Sequence, residues 1–483
     1  MDLTDRLSKS RYIAGLQCPR RLYLAVHHRE LATPPSPETQ ARFDAGHAVG
    51  ALAQKRFPGG VLVTEDHLHH HEAVATTKAL LERTVPVIFE AAFTHDNVKI
   101  RTDVLRRLES GGWELIEVKS TGGYKADKHL PDVGVQLYVL RGSGLDVRQV
   151  SLMHVDTSYV YPGGEYDPHV LLTSTDVTAE AEEYAETVAP IVAEMMRVIS
   201  LSEPPESDAA VKCTSPYECE FIAWCTRDEE EPDYSGVPVT TNGNVLRRLD
   251  RLEYPLLFVD FETLNPALPL FPGTSPFQAV KVQWSLHRLD ADGTLSHAEW
   301  IVEDGNHDPS EEFLTSLLDA LGTHGTFIHY SHYEVTQLTD LAVRLPRLRD
   351  RLIATIPGLY DRVAPKLRER GESLARPPQS SGGIVTFDLG VRVVKGGCIH
   401  PMLNGRWSIK YAITLLARDL PPYESLDVSN GDQAMLATTE MLRPDTPGER
   451  RAAIRESLLR YCEQDTMAMA EIYRTLMQMR HSV

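Results

Sequence analysis

The chain has 483 residues, more than one hydrophobic core ordinarily serves, so two domains are expected. A hydrophobic content of 42% and a charged content of 24% exclude collagen-like, disordered and disulfide-scaffold classes. The opening MDLTDRLSKSRY lacks a signal-type apolar region, and no run of about 18 apolar residues could cross a bilayer, so no membrane partner and a cytoplasmic address are expected. A net charge of −19 opposes a polyanionic partner unless divalent cations neutralise clustered carboxylates and local basic stretches hold phosphate.

In chain order, the segment Ser8 to Tyr23 carries Cys18 with Arg20 and Arg21, and Pro34 to Pro37 is a loop. A helix is expected at 38–57, with His47 upon it. Strands follow at 86–93, 97–105 and 113–119, and a second long helix at 176–200. Asp103 interrupts the apolar alternation of the second strand. Glu117 and Lys119, two apart on the third, share a face. An acid and a lysine on a strand that otherwise favours burial point to a hard cation such as Mg²⁺ or Mn²⁺, held by Asp103, Glu117 and His47, with Lys119 stabilising charge on phosphate. Taken singly, a Glu-x-Lys is as well explained as a surface pair and a helical His as a structural one. Cys213, Cys219 and Cys225, with distant Cys18, supply four thiolates, a number that suits either a [4Fe-4S] cluster or tetrahedral Zn²⁺. The basic run Lys125 to Lys128 is a candidate phosphate contact or a solvated helix face.

The order His47, Asp103, Glu117-x-Lys119 resembles the PD-(D/E)xK nucleases of the RecB group, above all the iron-sulfur type associated with CRISPR adaptation, over roughly residues 8–227. The resemblance implies metal or catalytic roles for those four residues and a [4Fe-4S] cluster on Cys18, Cys213, Cys219 and Cys225. It also implies a substrate role for Gln136, from the helix after the Glu-x-Lys strand. That helix motif usually continues to a tyrosine four residues on; position 140 here is Leu, and the nearest tyrosine is Tyr138.

The acidic and then Gly-, Pro- and Thr-rich segment Asp228 to Asn244 reads as a linker, dividing a domain at 1–230 from one at 246–483. In the second half, strands are expected at 255–261, 280–288 and 296–303, a helix at 309–321, a strand at 325–330, and a long last helix at 447–479. Asp260 and Glu262 break a buried-type strand at i and i+2. Two like charges on one buried face need a shared cation, the signature of a two-metal phosphodiester site. Glu334 opens a helix after the strand around Phe327, and Tyr461 and Asp465 share one helical face. These residues resemble the DEDD exonucleases in their tyrosine variant, as in proofreading domains and ribonuclease D. The likeness assigns Asp260, Glu262, Glu334 and Asp465 to metals and Tyr461 to orienting the attacking water. The third acid is usually Asp, and Asp340 is its fallback. Asp388 and Lys410 are secondary candidates for substrate contact. Arg344, Arg347, Arg349 and Arg351 form a further basic run, while Cys398 and Cys462 read as core.

Both halves in one chain resemble a two-domain bacterial family whose second domain has no assigned function, with Phe261 to Thr274 typical of it. The expected fold class is therefore α/β: a restriction-endonuclease-like N-terminal domain with an iron-sulfur cluster, then an RNase H-like domain. The expected function is a metal-dependent DNA nuclease or exonuclease acting on single strands or ends. The alternatives are a nucleic-acid-binding scaffold with one or both sites inactive, or an RNA-trimming exonuclease.

Overall fold

The computed structural model describes residues 7–83, 85–206, 213–229, 232–234, 236–377 and 382–481. They form a mixed α/β protein that divides into two compact units, Met1–Glu230 with Ser275–Phe277, and Glu231–Thr274 with Gln278–Val483.

The first unit runs β1 (Leu7–Ser8), α1 (Lys9–Gln17), α2 (Pro19–His27), α3 (Pro37–Lys55), β2 (Val61–Leu62), α4 (His70–Glu82), β3 (Val87–His95), β4 (Val98–Arg107) and β5 (Trp113–Lys119). It continues through α5 (Ala126–Gly142), β6 (Val147–Val155), α6 (Pro168–Leu171), β7 (Leu172–Asp176), α7 (Thr178–Ile199) and α8 (Ile222–Cys225). Its sheet has the order β2-β3-β4-β5-β6-β7, with β1 on β4. Strands β3, β4 and β5 form an antiparallel meander, whereas β5 and β6 pair in parallel. A parallel pair needs a crossover, and α5 is that segment. Tyr12, Leu22, Leu115, Val133, Leu137 and Val188 join one buried cluster, so α1, α2, α5 and α7 share the core that Leu115 enters. Glu117 has the parity of Trp113 and Leu115 and therefore emerges under those helices.

The second unit opens with β8 (Thr240–Thr241) and α9 (Gly243–Leu249), followed by β9 (Leu256–Leu264), β10 (Val280–Leu289), β11 (Leu295–Ile301), α10 (Ser310–Leu321), β12 (Gly325–His329) and α11 (Tyr333–Arg344). Then come α12 (Pro346–Thr355), α13 (Tyr360–Glu369), β13 (Ile384–Asp388), β14 (Cys398–Ile399), α14 (Ile409–Leu416), α15 (Gly431–Leu442) and α16 (Gly448–His481). The sheet order is β11-β10-β9-β12-β13. Its first three strands are antiparallel, and β12 and β13 run parallel to β9 and to each other. Leu256 and Phe258 face one core with Leu458, Met469 and Ile472 of α16. Leu257, Val259 and Phe261 face another with Phe313 and Leu338. A strand covered on both faces reads as one continuous apolar run, and its parity puts Asp260 and Glu262 on the α16 side.

The expected linker is only partly one. Glu230, Glu231 and Ser235 lie outside the described residues, but Thr240 and Thr241 pair with Ile399 and Cys398, and the Asn242 N–H donates to the Gly397 carbonyl. A turn-rich sequence still carries backbone donors and acceptors, and here they complete a small ladder.

Candidate functional site

Three chemical centres stand out. In the second unit, β9 supplies Asp260 and Glu262, the first turn of α11 supplies Glu334, and α16 supplies Tyr461, Cys462 and Asp465. A register irregularity between Lys281 and Gln283 of β10 falls beside Glu262, an interruption of the kind that re-aims side chains near sites. Glu334 and Asp465 are buried at 4% and 6% exposure, whereas Asp260 and Glu262 are half-buried.

The electrostatics show a shared location. Burial, then the Asp465, Glu262 and Glu334 carboxylates, push the Asp260 carboxyl well above its usual range. Burial, Asp465 and Glu334 do the same to Glu262, opposed by the Lys410 ammonium. Burial, with Asp388 and Asp465 adding to it, raises Glu334 to about 8. Asp465 is raised to about 6 by burial, against hydrogen bonds from Tyr423 and Tyr461 and the charge of Lys410. With Asp465 and Glu334 raising Asp260 and Glu262, Asp465 raising Glu334, and one lysine among the described residues as counter-charge, the four carboxylates form a donor set short of positive charge. Glu334 Oε2 is buried and accepts no hydrogen bond; the nearest base is His329, whose Nδ1 is 3.9 Å away. These observations fit hard divalent cations bound by oxygen.

Sequence reasoning missed two members. Cys462 is buried, as a core residue should be, but its Sγ donates to Asp260 Oδ2 at 3.5 Å, and it groups with Asp260 and Glu262 as a ligand set with atoms within 4.8 Å of one another. Its place three residues before Asp465, on the same helical face, was the available signal. Tyr423, whose hydroxyl donates to Asp465 Oδ1, opens a single 3-10 turn, Tyr423–Ser425, too short to leave a periodic cue. Lys410 does not reach out as a substrate contact would: its Nζ donates to the Ser429 carbonyl at 2.6 Å and lies 5.6 Å from the Tyr423 ring centre. Asp388 accepts from the Val391 N–H at 2.7 Å and acts on Glu334 through its charge. Asp340 is excluded as the third acid because it pairs with buried Lys281 at 2.5 Å and with Arg344 at 3.4 Å. Arg344 and Arg349 of the basic run are paired internally, with Asp308 at 2.7 Å and Glu372 at 2.8 Å.

The centre in the first unit is built differently. Glu117, 1% exposed, is 2.8 Å from Lys9 Nζ and 2.9 Å from Lys119 Nζ, and accepts from Gln136 Nε2 at 2.7 Å. Burial works against its charge, but the Lys119 and Lys9 ammonium groups outweigh it and hold the carboxyl well below the usual range. Asp103 accepts from the Val118 N–H at 2.6 Å and is raised to about 7 by burial and by Glu117. Lys119 also pairs with Asp132 at 2.5 Å. Thus Asp103, Glu117 and Lys119 are brought together, and Lys9 and Asp132 join them unannounced by the sequence pattern. Gln136 is wholly buried; it orients Glu117 and has no surface to offer a substrate. His47 is exposed on α3, a helix whose adjoining Gly46 has its Cβ direction 4.0 Å from Ser120 Oγ. It passes the end of β5, and among the described residues His47 belongs to no group of three ligand atoms lying within 4.8 Å of one another. Two lysines already answer the acids here, so this centre calls for a cation less strongly.

The third centre is a cavity of about 100 Å³ lined by Cys18, Cys213, Cys219 and Cys225. All four thiols are free, and the Cys219 N–H donates to the Cys213 carbonyl at 2.8 Å. Burial raises the Cys219 thiol to about 11, with Cys18 adding to the shift. Four unbridged cysteines lining one small cavity, with Cys213 on its exposed side, are a donor set suited to a thiolate-bound metal group, which would remove the protons that burial otherwise retains.

Residues 257–408 match a family described as "Domain of unknown function (DUF2779)", a span that includes Asp260, Glu262 and Glu334 and stops short of Tyr461 and Asp465. No curated protein matches the chain. A solved structure titled "Crystal structure of SSO0001" is similar at 12% identity over 42% of this chain and 79% of its own, with a TM-score of 0.20.

Proposed function

We propose that this protein is a metal-dependent nuclease whose principal active site is the Asp260, Glu262, Glu334 and Asp465 cluster. The observation that carries the reading is the cluster's charge: four carboxylates gathered at one place with Lys410 as their counter-charge among the described residues. Divalent cations bound there would polarise a phosphodiester and supply a hydroxide nucleophile. Tyr461, on α16 beside Asp465, orients the attacking water, and Tyr423 fixes Asp465.

The antiparallel triplet followed by two parallel strands supports an RNase H-like reading of the second unit, and the DEDD-type pattern, with Glu in third place, supports exonuclease action. For the first unit we propose a restriction-endonuclease-like RecB nuclease fold with a [4Fe-4S] cluster on Cys18, Cys213, Cys219 and Cys225. Asp103, Glu117 and Lys119 form its phosphodiester centre, assisted by Mg²⁺ or Mn²⁺. The substrate is DNA, as single strands or ends, with RNA the alternative. A second reading, nucleic-acid binding without cleavage, draws on the pairing of the ionised Glu117 with Lys9 and Lys119 and applies to the first unit.

The test measures degradation of labelled DNA and RNA by the full chain with Mg²⁺ or Mn²⁺. Asp260→Asn is expected to reduce the rate by on the order of 10³-fold, since it removes the charge and leaves only a weaker, neutral amide oxygen as ligand. Glu117→Gln separates the two units: unchanged cleavage assigns the first to binding. Cleavage that survives both Asp260→Asn and Glu262→Gln at the parental rate defeats the principal assignment.

A further inference from the structure

On the face of the second sheet that α16 covers, a cluster distinct from the carboxylates joins two histidines to a glutamate. His287 of β10 lies directly opposite His297 of β11 in the antiparallel register, and their rings stack at 4.5 Å with a 28° tilt. Glu463 of α16 reaches the same point, its Oε1 3.8 Å from His297 Nδ1. One ligand atom from each of the three lies within 4.8 Å of the others. His287 is 2% exposed, while His297 and Glu463 leave the cluster open to solvent.

The far side of each ring is held by hydroxyls. His287 Nδ1 is 2.8 Å from Thr466 Oγ1, His297 Nε2 is 2.9 Å from Ser285 Oγ, and the two hydroxyls are 2.8 Å apart. Thr466 Oγ1 is also 3.0 Å from the Glu463 carbonyl. A proton count closes consistently: Thr466 donates to that carbonyl and accepts from His287 Nδ1–H and from Ser285, and Ser285 accepts from His297 Nε2–H. His297 Nδ1 then keeps a free lone pair 3.8 Å from the Glu463 carboxylate, and His287 Nε2 keeps one as well. Histidine ligands are held in this way in metal sites, where the second ring nitrogen is fixed by a neighbour.

We propose that His287, His297 and Glu463 form a binding site for a borderline transition-metal ion of the Zn²⁺ class, with a fourth position open to water. Two imidazoles and one carboxylate are a known donor set for such an ion and a poor one for Mg²⁺. Tetrahedral bonds of about 2.0–2.1 Å place donors roughly 3.3 Å apart, so closing the site draws the three donor atoms in from separations of up to 4.8 Å and turns the stacked rings until both lone pairs meet at one point. Burial, then His297 and Arg474, hold His287 down at about 4, so it is neutral and ready to ligate near pH 7. An ion here would tie β10 and β11 to α16 at Glu463, which directly follows Cys462 and stands two residues before Asp465. The site's existence does not depend on whether those acids cut phosphodiesters.

The test uses the full chain, stripped of metal and held in millimolar Mg²⁺ to occupy the carboxylates, with Co²⁺ and Zn²⁺ as probes. A Co²⁺ site with nitrogen and oxygen donors gives weak visible bands, whereas binding by the four cysteines adds intense near-ultraviolet sulfur-to-metal bands. His297→Ala, on an exposed strand, is expected to abolish the nitrogen and oxygen signal and one Zn²⁺ equivalent while leaving the sulfur bands intact. Glu463→Gln should weaken binding by tenfold or more, and Ser285→Ala by about tenfold. Zn²⁺ should raise the melting temperature of the parent and not of His297→Ala. Equal Zn²⁺ stoichiometry and equal visible Co²⁺ spectra in parent and His297→Ala overturn the proposal.

Discussion

Tyr461 and Tyr423 both reach Asp465 yet should behave differently. Tyr461 is placed to hold water, so Tyr461→Phe is expected to lower turnover by about 10²-fold or more with little change in Mn²⁺ affinity. Tyr423 is buried against Asp465, and Tyr423→Phe should destabilise the fold by about 1.5–3 kcal/mol, the contribution of a hydrogen bond to a charged group, and weaken metal binding as well. Parallel activity, metal-titration and denaturation measurements on the two variants separate the roles; matching profiles would show that neither hydroxyl has a distinct task. Lys281 gives a contrasting case. Its side chain is fully enclosed and paired with Asp340, and burial holds its ammonium below the usual lysine range. Asp340→Ala strands that charge and should lower stability by about 3 kcal/mol, whereas Lys281→Met, which removes the need for a partner, should be neutral or stabilising. Urea unfolding of both variants checks the asymmetry.

Among the elements, β9 and α16 carry the principal centre for different reasons. The parity of β9 was legible because an apolar run broken at i and i+2 has one geometric meaning, and the strand expected at 255–261 is found at Leu256–Leu264. The last helix, expected at 447–479, runs Gly448–His481, and its spacing placed Tyr461 and Asp465 together. That same helix also brings Cys462 to Asp260 and Glu463 to the histidines, contacts that depend on the strands it crosses and on no local pattern. The segment holding Cys213, Cys219 and Cys225 has little regular structure beyond α8, so with the proposed cluster bound its geometry would rest on the thiolate ligands. Removing a [4Fe-4S] cluster from anaerobically purified protein should lower stability by at least about 3 kcal/mol, a fall of about 6–12 °C in the melting of the first unit. Cys219→Ala should show the lower value from the outset. Cys398→Ala, at a buried thiol outside the cavity, should instead lose stability to the same extent with and without iron. Differential scanning calorimetry distinguishes these patterns, and no change on iron removal would refute a structural cluster.

At the scale of the molecule, the matched family span ends at 408, but the second unit does not. Leu458, Ala468, Met469, Ile472 and Leu476 of α16 fill the core that also holds Leu256 and Phe258. A fragment of residues 257–408 is therefore expected to stay unfolded, and one of 231–483 to unfold cooperatively and bind Mn²⁺. Circular dichroism during thermal denaturation decides, and a cooperative transition in the shorter fragment contradicts the expectation. The sequence by itself determined the mixed α/β character, the main strands and long helices, and the acids that interrupt apolar strands, because period and parity are local properties of a chain. Only the tertiary structure decided which charges meet. It brought Lys9 to Glu117, gave Asp340 to Lys281, and set Cys462 against Asp260. Such pairings depend on packing between residues far apart in sequence, and a single sequence carries no record of that distance.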